Sequence, residues 1–353
     1  MKYLVVQDWP NTHGNHAGMV HMSDMLVEKY PGDYCKICKP IPLKKLSNSR
    51  YGRWLYIIKR KILISFFVDV WVKEYMPYCK PMLEQLKKGD EVFLLQYCSG
   101  GASQDVLARY IRKHYEGVKL YAMSHLTKSK YLEQGFDAKK IRKWDSYVDK
   151  HILMGSSLTN YFIECGVAPS KISTGFHYVD SEYYKKNEKD IIIKEKPTII
   201  AMGALQRDFK LLADIVNNTR DVNWIICKGL KPVDDLFHGD NIKLVGFVPE
   251  EELRALMAES DASINVLEDT VGSNVITTSL AMGLVVIVSD VGSIHDYVDS
   301  NCALFCENSV RSFTDAINEF AADPNKIVEM RLAALNKSSN LTIEKVHNWF
   351  CSL

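Results

Sequence analysis

The chain has 353 residues, enough for two domains of ~100–200 residues each. Apolar residues make up 47% and charged residues 25%, which excludes a disordered or collagen-like chain. The net charge of +1 hides an asymmetry: residues 1–180 hold 27 Lys+Arg against 17 Asp+Glu, and residues 181–353 hold 17 against 26. A chain so balanced is no general nucleic-acid binder, but its basic first half suits an anionic partner.

The opening MKYLVVQDWP carries an acid at Asp8 and no small-residue cleavage site, so it reads as a first strand and not a secretion signal. Tyr3–Val6 is expected as a strand, Thr12–Gly18 as a loop and Met19–Tyr30 as a helix. The unit then recurs. Strand Glu91–Leu95 leads through QYCSGGAS into a helix from Gln104 to His114, strand Lys119–Met123 ends at Ser124-His125, and strand Lys150–Met154 precedes helix Ser157–Cys165. Buried apolar runs separated by helices are the pattern of parallel βαβ units.

Residues 36–68 contain nine Lys/Arg and no acid, interleaved with Trp54, Tyr56, Phe66 and Phe67. Such a segment suits the interface of an anionic membrane, and it equally suits a core helix with a solvated basic face. Its longest apolar run, Ile62 to Val68, has seven residues, far short of the ~20 that span a bilayer. Cys35-x-x-Cys38 has no second pair at zinc spacing, and KPIPLKK beside it reads as irregular loop. The nine cysteines, an odd number spread along the chain, read as reduced cytosolic thiols. His13, His16 and His21 have poor metal spacing, so acceptor contact or plain loop polarity is favoured over zinc.

The polar stretch Lys185–Lys196 is the best linker candidate. After it come strand Thr198–Met202, helix Phe209–Asn217, strands Asn223–Cys227 and Lys243–Val245, helix Glu250–Glu259, strand Ala262–Val266, helix Asn274–Met282 and strand Val285–Ser289. Pro249 before three glutamates is a sound helix start, because Pro suits the first turn and acids suit the dipole.

Two segments of this half carry chemistry. In Gly272–Gly292, a small-residue loop enters a helix at Asn274, where free amides and the helix dipole would suit a diphosphate. In Gly203–Val216, Arg207 and Lys210 follow a strand and open a helix, facing the crevice where open α/β sheets bind ligands. Helix starts usually prefer acids, so two cations there point to an anionic ligand, and the Arg fork suits phosphate oxygens.

These segments, with KLVGFVPEEELRALMAESDASINV between them, resemble the donor-binding half of GT-B glycosyltransferases of family 4, the group 1 glycosyltransferases. Ile152–Tyr184 is similar to that family's interdomain segment, and the loop Gly14–Gly18 and His125 at a strand end agree. The resemblance implies an α/β fold of two Rossmann-like, doubly wound parallel-sheet domains facing a cleft, at 1–185 and 195–338, with a C-terminal helix at 340–353 packing back on the first. It places His125 at the reaction centre, and Gly203, Arg207, Lys210, Gly272, Ser273, Asn274, Val275 and Thr278 around the donor diphosphate and ribose. Lys228, Phe247 and Val248 fall at the donor base, and the loops with Gly14, Asn15, His16, Gly18, Ser99 and Gly100 at the acceptor.

One departure stands out. The family's two glutamates, eight positions apart, align with Thr270 and Thr278, with Glu268 and Asp269 beside the first position. The implied activity moves a sugar, with retention, from a UDP- or GDP-sugar to a glycan or lipid-linked glycan, needing no cofactor and no metal. Cell-surface polysaccharide or glycolipid synthesis at the inner face of the cytoplasmic membrane fits the basic first half. Two alternatives stay open. One is a non-catalytic scaffold binding nucleotide sugar or glycan, which the two threonines favour. The other is a nucleotide-sugar epimerase, which would need a carboxylate pair that the sequence does not clearly offer.

Overall fold

Each half of the chain is organised by a parallel six-stranded sheet, in a computed structural model that describes residues 1–9, 14–40, 54, 58, 76–98, 104–192, 194–203 and 205–353. Two compact units result. The first comprises Met1–Met154 and Leu158–Gly175, the second Gly155–Ser157 and Phe176–Leu353.

In the first unit the elements run β1 (Lys2–Asp8), α1 (Met19–Lys29), β2 (Tyr34–Pro40), α2 (Met76–Gln85), β3 (Glu91–Leu94), α3 (Gln104–His114), β4 (Lys119–Ser124), α4 (Lys128–Glu133), α5 (Ala138–Asp145), β5 (Lys150–Leu153), α6 (Ser156–Glu164) and β6 (Ile172–Thr174). The strand order is β2-β1-β3-β4-β5-β6. Leu4, Val5, Val6, Val92, Phe93 and Leu94 are buried because helices cover both faces. The order reverses between β1 and β3, where two buried glutamines lock the strand ends. The Gln7 amide donates to Gln96 Oε1 at 2.6 Å, and Gln96 Nε2 donates back to the Gln7 carbonyl at 3.1 Å.

Cys35-x-x-Cys38 belongs to edge strand β2, paired with β1 from Lys2↔Tyr34 to Asp8↔Pro40. Lys39 and Pro40, expected in an irregular loop, close this strand, and the rest of KPIPLKK lies outside the described residues. Most of the basic segment 36–68 also lies outside them.

The second unit holds β7 (Thr198–Ala201), α7 (Phe209–Asn217), β8 (Asn223–Cys227), β9 (Ile242–Val245), α8 (Glu250–Glu259), β10 (Ala262–Asn265), α9 (Asn274–Ala281), β11 (Val285–Ser289), β12 (Ala303–Cys306), α10 (Val310–Ala322), α11 (Pro324–Ser338) and α12 (Ile343–Cys351). The order is β12-β11-β10-β7-β8-β9. Strand β11 is buried at every residue, and each such Val or Ile contributes about 1.5–3 kcal/mol by leaving water. Trp224 on β8 and Phe313 and Ile317 on α10 fill one face, while Ile276 and Leu280 on α9 fill the other.

The boundary falls earlier than the polar stretch 185–196, because that stretch is fastened to the second unit. Lys186 Nζ donates to the Ala258 carbonyl at 2.9 Å, and Lys194 Nζ pairs with Asp261 at 2.8 Å. Val179 and Tyr184 already lie in the second core, and the Tyr184 hydroxyl donates to Glu250 Oε1 at 2.6 Å. The C-terminal helix α12, expected on the first domain, is part of the second unit. Just before it, the Leu341 carbonyl accepts from the Val179 amide at 2.8 Å, and on it Trp349 stacks on Phe176 at 5.6 Å.

Candidate functional site

The order of the second sheet reverses between β7 and β10, so the loops leaving these neighbours diverge and open a crevice at their C-terminal ends. Both loops are fixed by the backbone. Gln206 takes a positive φ of 56°, Arg207 bridges Leu267, the Asp208 amide donates to the Val266 carbonyl at 3.2 Å, and the Glu268 amide donates to the Gln206 carbonyl at 3.0 Å. Arg207 is thereby held at the switch point.

Its guanidinium has an unusual environment. Nη2 donates to Asn265 Oδ1 at 2.9 Å. Nε is buried and has no partner among the described residues. No carboxylate pairs with Arg207 among them. Desolvation alone lowers its pKa to about 10. The nearest acid in sequence, Asp208, spends an oxygen on capping α7, accepting from the amides of Lys210 at 3.0 Å and Leu211 at 2.9 Å. Lys210 itself is exposed.

Gly203 makes room for that cation. At its φ of 86°, a Cβ would stand 3.1 Å from Arg207 Nε and 3.0 Å from Val275 at the start of α9. Gly203, Arg207 and Val275 therefore converge. A narrow recess is lined by Met202, Gly203, Arg207, Phe209, Ile226 and Val266.

The start of α9 is built on close approaches. Gly272 donates its amide to Thr270 Oγ1 at 3.0 Å, and Ser273 caps the helix by accepting from the Ile276 amide. The first amides of α9, at Asn274 and Val275, have no acceptor within the helix and carry the positive end of its dipole. Thr278 is buried, and its hydroxyl donates to the Asn274 carbonyl at 2.7 Å. Its proton is spent on the helix, leaving lone pairs that can accept from a ligand.

The expected base region is looser. Lys228 pairs with Asp234 at 2.9 Å, so its charge is partly answered. Phe247 is 74% exposed, and Val248 packs against the core.

In the first unit His125 follows β4. Its Nδ1 is buried without a partner among the described residues, and burial lowers the ring's pKa to about 4. Gly14 and Gly18 take positive φ in the loop between β1 and α1, and His16 meets His21 edge-to-face at 5.0 Å. Asn15 lies in the same loop. Ser99 and Gly100 lie outside the described residues. Among the described residues, no group of three or more His, Cys, Asp or Glu side chains could hold a metal ion.

Sequence reasoning missed Asn265 and Tyr297. Asn265 closes the buried strand Ala-Ser-Ile-Asn, where a polar residue signals a buried partner. Tyr297, under Gly272, left no signal in the sequence.

The model of the family "Glycosyl transferases group 1" matches residues 196–323, which carry this crevice. The second unit thus carries a span similar to the group 1 glycosyl transferases. Solved structures of low identity match the whole chain and show a shared GT-B fold. HepE (Alr3699) of Anabaena in complex with UDP is 14% identical over all of both chains, with a TM-score of 0.68. Sucrose-phosphate synthase from Thermosynechococcus elongatus is 11% identical over 100% of this chain and 99% of its own, with a TM-score of 0.70. A glycosyltransferase from Rickettsia africae is 12% identical over 99% and 97%, with a TM-score of 0.63. A search of curated proteins returned no match. The crevice between β7 and β10 lies in the matched span, as does the start of α9.

Proposed function

We propose that the chain transfers a sugar, with retention, from a nucleoside diphosphate sugar to a glycan or lipid-linked glycan acceptor in cell-surface polysaccharide or glycolipid synthesis. The observation that carries the reading is Arg207, a desolvated guanidinium with no carboxylate partner among the described residues. Negative charge grows on the departing diphosphate in the transition state, and preorganised donors aimed there lower the barrier. Arg207, Lys210 and the first amides of α9 supply that field without a required metal. His125, neutral at ordinary pH, offers a hydrogen-bond partner at the reacting sugar. UDP as the leaving group is supported by the solved structures of HepE in complex with UDP and of the pneumococcal O-GlcNAc transferase GtfA in complex with UDP and GlcNAc.

The acceptor is assigned to the loops at Gly14–Gly18 and Ser99–Gly100 of the basic first half. An anionic lipid surface at the inner face of the cytoplasmic membrane fits that charge. Among the described residues, no helix is long and apolar enough to cross a membrane.

A second reading, a non-catalytic nucleotide-sugar binder, is favoured by one observation. Thr270 and Thr278, at the positions of the family's glutamates, both use their hydroxyls for internal hydrogen bonds. A panel of UDP- and GDP-sugars, with and without lipid-linked glycans, separates the two. The transferase reading expects nucleoside diphosphate release that rises with acceptor. The binder reading expects thermal stabilisation, about 2.7 kcal/mol at 100 times Kd, without release. A panel producing neither effect overturns both.

A further inference from the structure

We propose that Asn265 is a positioning residue that aims the Arg207 guanidinium and keeps its charge available for the donor diphosphate. The inference rests on the reading of Arg207 as the diphosphate contact. Asn265 ends β10 and is fully buried. Its Oδ1 accepts from Arg207 Nη2 at 2.9 Å, and its Nδ2 donates to Ser263 Oγ at 3.3 Å. The guanidinium can only donate, so Oδ1 is the end that faces it, and the fully buried Ser263 hydroxyl accepts from the other end of the amide. The backbone bridge Arg207–Leu267 holds the two loops in register, and among the described residues Asn265 is the one that holds the guanidinium.

The choice of amide over carboxylate is the informative part. An Asp at 265 would have the same shape and the same acceptor, and would form a buried ion pair with Arg207. That pair would neutralise the cation and compete with an incoming phosphate. The neutral amide satisfies one N–H and leaves Nε, which has no partner among the described residues, and the net charge uncommitted.

Calorimetric titration of the full chain with UDP, GDP, uridine and guanosine tests this in wild type, Asn265→Asp, Asn265→Leu and Arg207→Ala. Asn265→Asp should weaken the diphosphates about ten- to a hundredfold, as loss of a charge-assisted contact does, while nucleoside affinity stays within about twofold. Asn265→Leu, which frees the guanidinium, should weaken the diphosphates in the same selective way and decides the matter if the Asp variant does not fold. If Arg207→Ala loses diphosphate affinity while both Asn265 variants keep it, the positioning role is wrong and the Arg207 reading stands. A parallel fall of nucleoside and diphosphate affinity assigns Asn265 to structure alone and also overturns the proposal. Unchanged diphosphate affinity in Arg207→Ala removes the site itself.

Discussion

The ring of Tyr297 lies against the α-carbon of Gly272, so close that a Cβ there would stand 2.1 Å from Cε2 and Cζ and 2.6 Å from the hydroxyl oxygen. That hydroxyl accepts from the His177 amide at 3.0 Å, so the ring cannot step aside without breaking a buried hydrogen bond. Gly272 also has φ of 82°, where L side chains are strained. Gly272→Ala should therefore cost about 1–3 kcal/mol and tilt the start of α9. Urea unfolding reads the first effect and UDP or GDP titration the second. Wild-type values in both would mean the contact is slack.

His125 sets a pH dependence whose sign follows from burial. The folded ring titrates near 4 and the unfolded one near 6.5. Between those values the unfolded chain binds the extra proton, so stability rises with pH there and is lost as pH falls from about 6.5 toward 4. The loss is at most about 3 kcal/mol, from 1.36 kcal/mol per pH unit. His125→Gln should flatten this part of the stability curve. Comparing urea midpoints at pH 7.5 and 5 checks it: an equal drop in both proteins would assign the acid sensitivity to other groups.

The buried pair Arg331–Asp261 ties α11 to the sheet. Nη1 meets Oδ1 at 2.5 Å, Nε donates to the Gly283 carbonyl at 2.8 Å, and both side chains are 2% exposed. Arg331→Met would leave Asp261 with Lys194 and the Thr198 amide. We expect a loss of about 3 kcal/mol, the lower end for a broken buried pair, because one cation remains. Lys194→Met, on the more exposed arm, should cost about 1 kcal/mol or less. Chemical denaturation of both variants tests the ranking.

The elements legible in the sequence were those whose environment left one pattern. Val285–Ser289 is buried on both faces and reads as an unbroken apolar run, and Pro249 marks a helix start that lies where expected. Edge strand β2 was not legible, since one side meets solvent and its Lys36, Lys39 and Pro40 resemble a loop. Cys35 and Cys38, three residues apart on this strand, point to opposite faces of the sheet and do not form a pair. Arg207 was visible because a cation after a strand conflicts with helix-start preference. Asn265 was not, because its role depends on β7 and β10 becoming neighbours across 58 residues of chain.

The last prediction concerns Thr278, where the family places a carboxylate. The hydroxyl donates to the Asn274 carbonyl at 2.7 Å and lies within 3.3 Å of the Val275 carbonyl. A ribose hydroxyl can therefore only be received by its lone pairs, a neutral bond contributing about 0.5–1.5 kcal/mol against about 1.5–3 for a charged acceptor. Thr278→Val keeps the shape, removes the acceptor and should weaken UDP-sugar or GDP-sugar binding about two- to tenfold. Thr278→Glu restores the charge and should tighten binding, provided the longer side chain leaves α9 folded, which circular dichroism and thermal unfolding check independently. The two substitutions pull in opposite directions only if the ribose lies beside this turn of α9. Donor Kd values for both variants that match wild type in folded protein would move the ribose elsewhere along the crevice, leaving Arg207 to be judged by its own variant.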